Sequence, residues 1–286
     1  MIRGLLILMS PMPLPCINAF EKIVNPKKIL MKSFKIIAFL TAAIITSTAT
    51  TAQQRPANFI GVEGGISLPL GNFGKASTAT ALTSIKGTVN DPSGYAKAGG
   101  FFAVDGAWFF SKYLGVGGMF KYGTYNLKHV DSLSQGYQES FDVDKTSTSV
   151  TNYKMWSVMP GLYFDLPIAK KFSVTARALA GVAHASTPTI TVAIEDGGVE
   201  DPSVIQSSAS RTAFAFDGGV GLRYSILRCL AINLRADYFY TKPDFTIANS
   251  GRNNNAGREV SEYDQALSSL NFTLGVAYQF SPKKKK

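Results

Sequence analysis

Leu270-Asn271-Phe272-Thr273-Leu274-Gly275-Val276-Ala277-Tyr278-Gln279-Phe280 alternates apolar residues with small or polar ones from end to end. Successive side chains of a strand point to opposite faces, so one face of this segment is wholly apolar. Near the end of an exported chain, and closing on an aromatic, it reads as a transmembrane β-strand whose apolar face meets lipid.

Seven earlier segments follow the same period. They cover about 59–68, 98–110, 114–126, 153–165, 172–184, 213–226 and 231–240. Their apolar parity is carried by residues such as Val62, Val104, Trp108, Phe120, Val158, Leu162, Val182, Phe216, Val220 and Leu234. Each segment is about ten residues or longer, enough to cross a bilayer at a tilt. Three connections are tight: Ser111-Lys112-Tyr113, Ile168-Ala169-Lys170-Lys171 and Leu227-Arg228-Cys229-Leu230. They recur at spacings of about 57 and 59 residues, a hairpin period rather than a solenoid repeat. The other four connections, about 71–97, 128–152, 185–212 and 241–265, are rich in Ser, Thr, Asn, Asp and Gly. Such composition buries little apolar area, so these are expected to be long polar loops without packing of their own. The expected fold is all-β: an eight-stranded antiparallel transmembrane β-barrel with short periplasmic turns and long outer loops.

The opposite parity holds Glu63, Asp105, Lys121, Arg177, Asp217, Arg223, Arg235 and Asp237, together with Gly61, Gly65, Gly117, Gly123, Gly181, Gly219, Gly221 and Gly275. An Arg or Lys facing lipid near the midplane costs about 2–4 kcal/mol, which holds these residues inside. An eight-stranded barrel is just wide enough for side chains to fill, and glycines make room for long charged stems. The expected interior is a salt-bridged polar plug, with a narrow ion path as the alternative. A porin-like water-filled channel would need about sixteen strands. Aromatics near both strand ends, among them Trp108, Phe110, Tyr113, Tyr122 and Trp156, suit the headgroup zones.

The start of the chain reads as a leader. Met31-Lys32-Ser33-Phe34-Lys35 precedes an apolar run from Ile36 to Ile45, and Thr50-Thr51-Ala52 offers a small-residue cleavage site. Residues 31–52 are therefore expected to be a signal peptide, residues 53–280 the barrel, and 281–286 a lysine tail without assigned function. Residues 1–30 precede a complete signal and are read as upstream translated sequence. Cys16, after Leu5-Leu6-Ile7-Leu8, would suit a lipoprotein signal, but Pro15 stands where a small residue is expected.

The net charge of +10 is misleading. Residues 1–52 hold six of the 29 bases and one of the 19 acids, leaving +5, and Lys283 to Lys286 supply four of those charges. A body near +1 offers no clustered basic face for nucleic acid. Cys229 is the one cysteine of the mature chain, and His129 and His184 stand apart from it, so no zinc-type spacing exists. Neither a phosphate loop, HExxH nor a G-x-S-x-G elbow occurs. Asp142-Val143-Asp144 and Glu200-Asp201 lack the spacing of a calcium loop. No catalytic, cofactor-binding or metal residue is assigned, and no cofactor is expected.

Thr273-Leu274-Gly275-Val276-Ala277-Tyr278-Gln279-Phe280 resembles the C-terminal assembly signal of outer-membrane barrels, departing from it in the Ser281-Pro282 and lysine extension. With the eight strands and the leader, residues 53–280 resemble small OmpA/OmpX-like barrels and the broad "outer membrane protein beta-barrel domain" family of Gram-negative bacteria, which includes PorT-like proteins. The resemblance implies an outer-membrane location in the cell envelope. It also implies recognition of the last strand by the barrel-assembly machinery. It implies no single activity. The leading expectation is a structural or surface-binding protein that meets outer-membrane lipid and an unknown surface ligand through its loops. One alternative is a lipid A deacylase-like enzyme, since His184-Ala185-Ser186 has the His-x-Ser spacing of that family at outward parity; its nearest acids are Glu195 and Asp196. The other is a soluble lipocalin-like barrel with the apolar residues inside.

Overall fold

The computed structural model describes residues 57–76, 89–90, 93–141, 144–196, 199–227, 229–250 and 259–280. The segments read as upstream sequence, signal peptide and lysine tail lie outside the described residues. In chain order the strands are β1 (Asn58–Leu70), β2 (Val89–Asn90), β3 (Gly99–Phe109), β4 (Leu114–Tyr125), β5 (Lys145–Val150), β6 (Tyr153–Pro167) and β7 (Phe172–Ser186). There follow β8 (Ile190–Asp196), β9 (Val199–Gln206), β10 (Ser210–Leu227), β11 (Leu230–Thr241), β12 (Asp244–Ser250), β13 (Glu259–Asp264) and β14 (Leu267–Phe280). A one-turn helix, α1 (Gly71–Gly74), follows β1, and α2 (Val130–Phe141) precedes β5.

Eight of these strands close in the order β1-β14-β11-β10-β7-β6-β4-β3. They are the eight segments read from the alternation, each with its observed ends within a few residues of the expected ones. Closure is made by β1 and β14, paired without a break from Asn58↔Phe280 to Leu70↔Ser268. A membrane offers no water to an open sheet edge, so this pairing satisfies backbone groups that would otherwise cost several kcal/mol each, on the order of the unsatisfied-amide penalty. The β6–β7 ladder skips Met159 and Pro160, where proline has no N–H to give.

The two faces sort as parity predicts. Val62 and Val220 are 62% exposed and Leu274 61%, whereas Glu63 is 2% exposed and Arg177 6%. This is the inverse of a soluble barrel, which would bury the valines and leucines and hydrate the charges.

The expectation of unpacked polar loops is overturned. Beyond the barrel's long-connection end stands a second, six-stranded sheet in the order β2-β13-β12-β9-β8-β5. It grows out of the barrel hairpins. Thr187 and Ala209, between the β7–β10 and β8–β9 ladders, keep the strands joined: the Thr187 N–H donates to the Ala209 carbonyl at 2.8 Å, and the Ala209 N–H to Thr187 Oγ1 at 2.9 Å. The sheet has apolar residues at period two, with Ile190, Val192, Phe245, Ile247 and Tyr263 all buried. Overall loop composition hid that short-range alternation. α2 also lies in a span expected to be loop. It is tied to β5 by Ser134 and Thr146, whose side-chain oxygens share a hydrogen bond at 2.8 Å, and by Gln138 Nε2, which donates to the Asp144 carbonyl at 2.7 Å.

Candidate functional site

Inside the barrel, each of five charged residues stands directly opposite a glycine on the next strand. Glu63 faces Gly275, Asp105 faces Gly61, Arg235 faces Gly221, and Arg177 and Asp237 face Gly219 from either side. The glycines are required by close approach: a Cβ on Gly275 would lie 2.7 Å from Glu63 Cγ, and one on Gly221 would run into Arg235 Cγ. All eight charged residues expected inside are there, and all are buried.

Seven of them, all but Arg223, form one network. Arg177 reaches Asp237 at 3.0 Å, Asp217 at 3.3 Å, Asp105 at 3.4 Å and Glu63 at 3.7 Å. Arg235 pairs with Glu63 and, at 2.8 Å, with Asp105. Lys121 sits 3.5 Å from Asp217 and 4.2 Å from the centre of the Phe239 ring, which adds a cation–π contact. Nearer the short turns, Arg223 donates from Nη1 to Asp165 at 2.7 Å and from Nε to Asn233 at 2.8 Å, and its guanidinium lies 4.0 Å from the Phe59 ring. Asp165 was not foreseen. Its signal was parity, since it stands two residues beyond the inward Tyr163. The described interior thus sets five acids against four bases.

Toward the outer sheet the lining changes from charged to neutral and then to aromatic. Ser67 bonds Tyr125 at 2.7 Å and donates to Asn271 at 2.5 Å. Above this layer sits Phe73 of α1, 2% exposed, with its ring edge-on to Tyr125 at 5.1 Å and to Tyr153 at 5.3 Å. The following strap holds it down: Gly94 and Ala96 donate backbone N–H groups to Asn72 and Phe73, at 2.9 and 3.0 Å. Tyr95 between them takes a left-handed backbone (φ 53°), sparsely populated for a non-glycine residue and stabilised here by its fixed neighbours. This aromatic stopper lies in a connection that composition had marked as polar loop. Farther out, the Tyr263 ring is tilted against that of Phe245 with ring centres 5.6 Å apart, and burial pushes its phenol well above the usual range.

His184 and Ser186 both lie on β7, facing outward near its outer end, and hold different partners. His184 Nδ1 is hydrogen-bonded to Thr212 Oγ1 at 2.9 Å, and its ring stacks on Trp156 at 5.4 Å. Ser186 Oγ bonds Ser210 Oγ at 2.7 Å. The acid expected to lie in a loop, Glu195, is on β8, where it pairs with Lys145 at 3.7 Å. The strand ends at Ser186, just before Thr187-Pro188. Cys229 is exposed in its tight turn. Of the two acid runs weighed for calcium, Asp142 and Val143 lie outside the described residues. Among the described residues no cluster of three or more metal-ligating side chains occurs.

A closed antiparallel barrel with an apolar exterior and a charged interior is a transmembrane β-barrel. A model of the "Outer membrane protein beta-barrel domain" family matches residues 38–280, and the chain belongs to that family. The match opens inside the segment read as a signal peptide. The protein is accordingly located in the outer membrane. Among solved structures the chain is similar to Ail of Yersinia pestis (15% identity, TM-score 0.40, covering 79% of this chain and all of that one). It is also similar to OprG of Pseudomonas aeruginosa (12%, TM-score 0.41, 81% and 100%) and a major outer membrane protein of Thermus thermophilus (15%, TM-score 0.43, 78% and 100%). No curated protein matches the chain.

Proposed function

We propose that the barrel is a filled membrane anchor that presents the six-stranded outer sheet as a surface-binding platform. The observation that carries this reading is the outer sheet itself. Strands contributed by all four long connections pair in one sheet, tied to the barrel through Thr187 and Ala209. Binding residues commonly sit on connections held by a rigid scaffold. A plugged lumen is supported by Arg177 reaching four carboxylates across the interior and by Phe73 above them. The partners in this reading are outer-membrane lipid around the barrel, the assembly machinery at β14, and a surface ligand at the outer sheet, with no nucleic acid.

The reading assigns no catalysis to His184 and Ser186. The imidazole is engaged by Thr212 and the hydroxyl by Ser210, and among the described residues neither a His184–Ser186 hydrogen bond nor an acid bonded to the imidazole is found.

Two measurements test this. The refolded barrel in a planar bilayer under molar potassium chloride is expected to give no stepwise conductance; discrete channel openings would overturn the filled core. Cells carrying the protein are then compared with cells in which residues 190–206 are replaced by Asn-Gly, in adhesion to immobilised matrix proteins and polysaccharides. Adhesion lost on trimming, with the barrel still heat-modifiable on a gel, supports the platform. Identical adhesion sinks it.

A further inference from the structure

The barrel exterior changes character in three successive rows at the outer end of β6, β7 and β10. Val158, Val182 and Phe214 are register partners, all apolar and 44–58% exposed, and belong to the lipid-facing band. Two residues nearer the outer sheet, Trp156, His184 and Thr212 are partners. Two further on come Lys154, Ser186 and Ser210. Side chains directly opposite on one face lie about 4.5–5.5 Å apart at Cβ, so each row is a contiguous patch. The long-connection end of such barrels faces outward, which puts the upper two rows at the headgroup level of the outer leaflet.

We propose that these six residues receive the phosphate of a lipid headgroup in the outer leaflet. Lys154 is exposed, and among the described residues no acid lies within ion-pair distance of it. Its register partners on either side, Thr124 and Ser186, are neutral. Ser186 and Ser210 share one hydrogen bond at 2.7 Å, which uses one hydroxyl proton and leaves the other for an anion. His184 is held in place by Thr212 and by the Trp156 ring, an aromatic suited to the interface. A lysine stem lying along apolar surface with its ammonium at the headgroup is the common arrangement at this depth. Lipid is favoured over a soluble anion because the patch is continuous with the acyl-facing row beneath it. The proposal needs only the outer-membrane location, so it stands or falls apart from the platform reading above.

The test is native mass spectrometry of the full barrel in neutral detergent, using diphosphoryl lipid A, its fully dephosphorylated form, and inorganic phosphate as probes. The wild type is expected to retain the phosphorylated lipid roughly tenfold more than the dephosphorylated one, the scale of one charge-assisted hydrogen bond. Lys154→Gln is expected to abolish that preference and Lys154→Arg to keep it, with folding checked by heat-modifiable mobility. Should Lys154→Gln fail to fold, Ser210→Ala carries the same comparison, with a smaller loss. Equal retention of the two lipids by the wild type overturns the site, as does an unchanged preference in folded Lys154→Gln. Displacement of the lipid by millimolar inorganic phosphate overturns the lipid as occupant. A Ser186-dependent loss of an acyl chain would replace docking with hydrolysis.

Discussion

Arg177 and Asp237 meet across Gly219: the arginine lies on β7, the aspartate on β11, and the glycine on β10 is the register partner of both. Their 3.0 Å ion pair passes over the one residue type that leaves the space open. A Cβ on Gly219 would run into Asp237 Oδ1 and lie 2.7 Å from the Asp237 Cα. Gly219→Ala is therefore expected to destabilise the barrel by about 1–3 kcal/mol, the usual scale of overpacking. Urea unfolding in lipid vesicles measures this. A midpoint equal to the wild type's would mean that the interior yields more readily than its register implies.

Arg177 is shared by Glu63, Asp105, Asp217 and Asp237. Removing one partner of a buried ion pair leaves uncompensated charge, so Arg177→Met is expected to cost about 3–5 kcal/mol. The double variant Arg177→Met/Asp237→Asn should recover part of that loss. Unfolding midpoints of the single and double variants give the coupling, and strict additivity would contradict a network.

Phe73 is buried above the neutral layer of the lumen, with its ring against Tyr125 and Tyr153. Phe73→Ala should cost about 3–5 kcal/mol as a buried aromatic truncation. It should also raise ion leakage through the barrel in a planar bilayer. With five buried acids against four bases, the leak is expected to favour cations, read as a reversal potential of matching sign in a salt gradient. An anion-selective leak would show that the ion network does not govern the path.

Leu274 lies near the middle of β14 and is 61% exposed on the outer face. Leu274→Arg should destabilise the barrel in lipid by about 2–4 kcal/mol, the depth-dependent penalty for a charge at the midplane. Improved solubility without loss of stability would favour a water-facing exterior instead.

Reading the chain residue by residue was enough for the barrel, since lipid imposes the harshest sorting a sequence can carry. Across the lipid-facing band, outward residues had to be apolar or small, and each interior charge had to take the other parity. Period two therefore located the strands, the tight turns and the eight inward charges. The long connections obey no such constraint. Their mean composition resembles disordered sequence, and the alternation of Ile190, Val192, Phe245 and Ile247 is too short to stand out until strands from distant parts of the chain pair. Phe73 as a stopper, Asp165 as the partner of Arg223, and the alignment of Lys154 with Ser186 and Ser210 all depend on which strand lies beside which. Local periodicity determined which way each side chain points. Only closure of the sheet, through register between residues far apart in the chain, decided what each side chain meets.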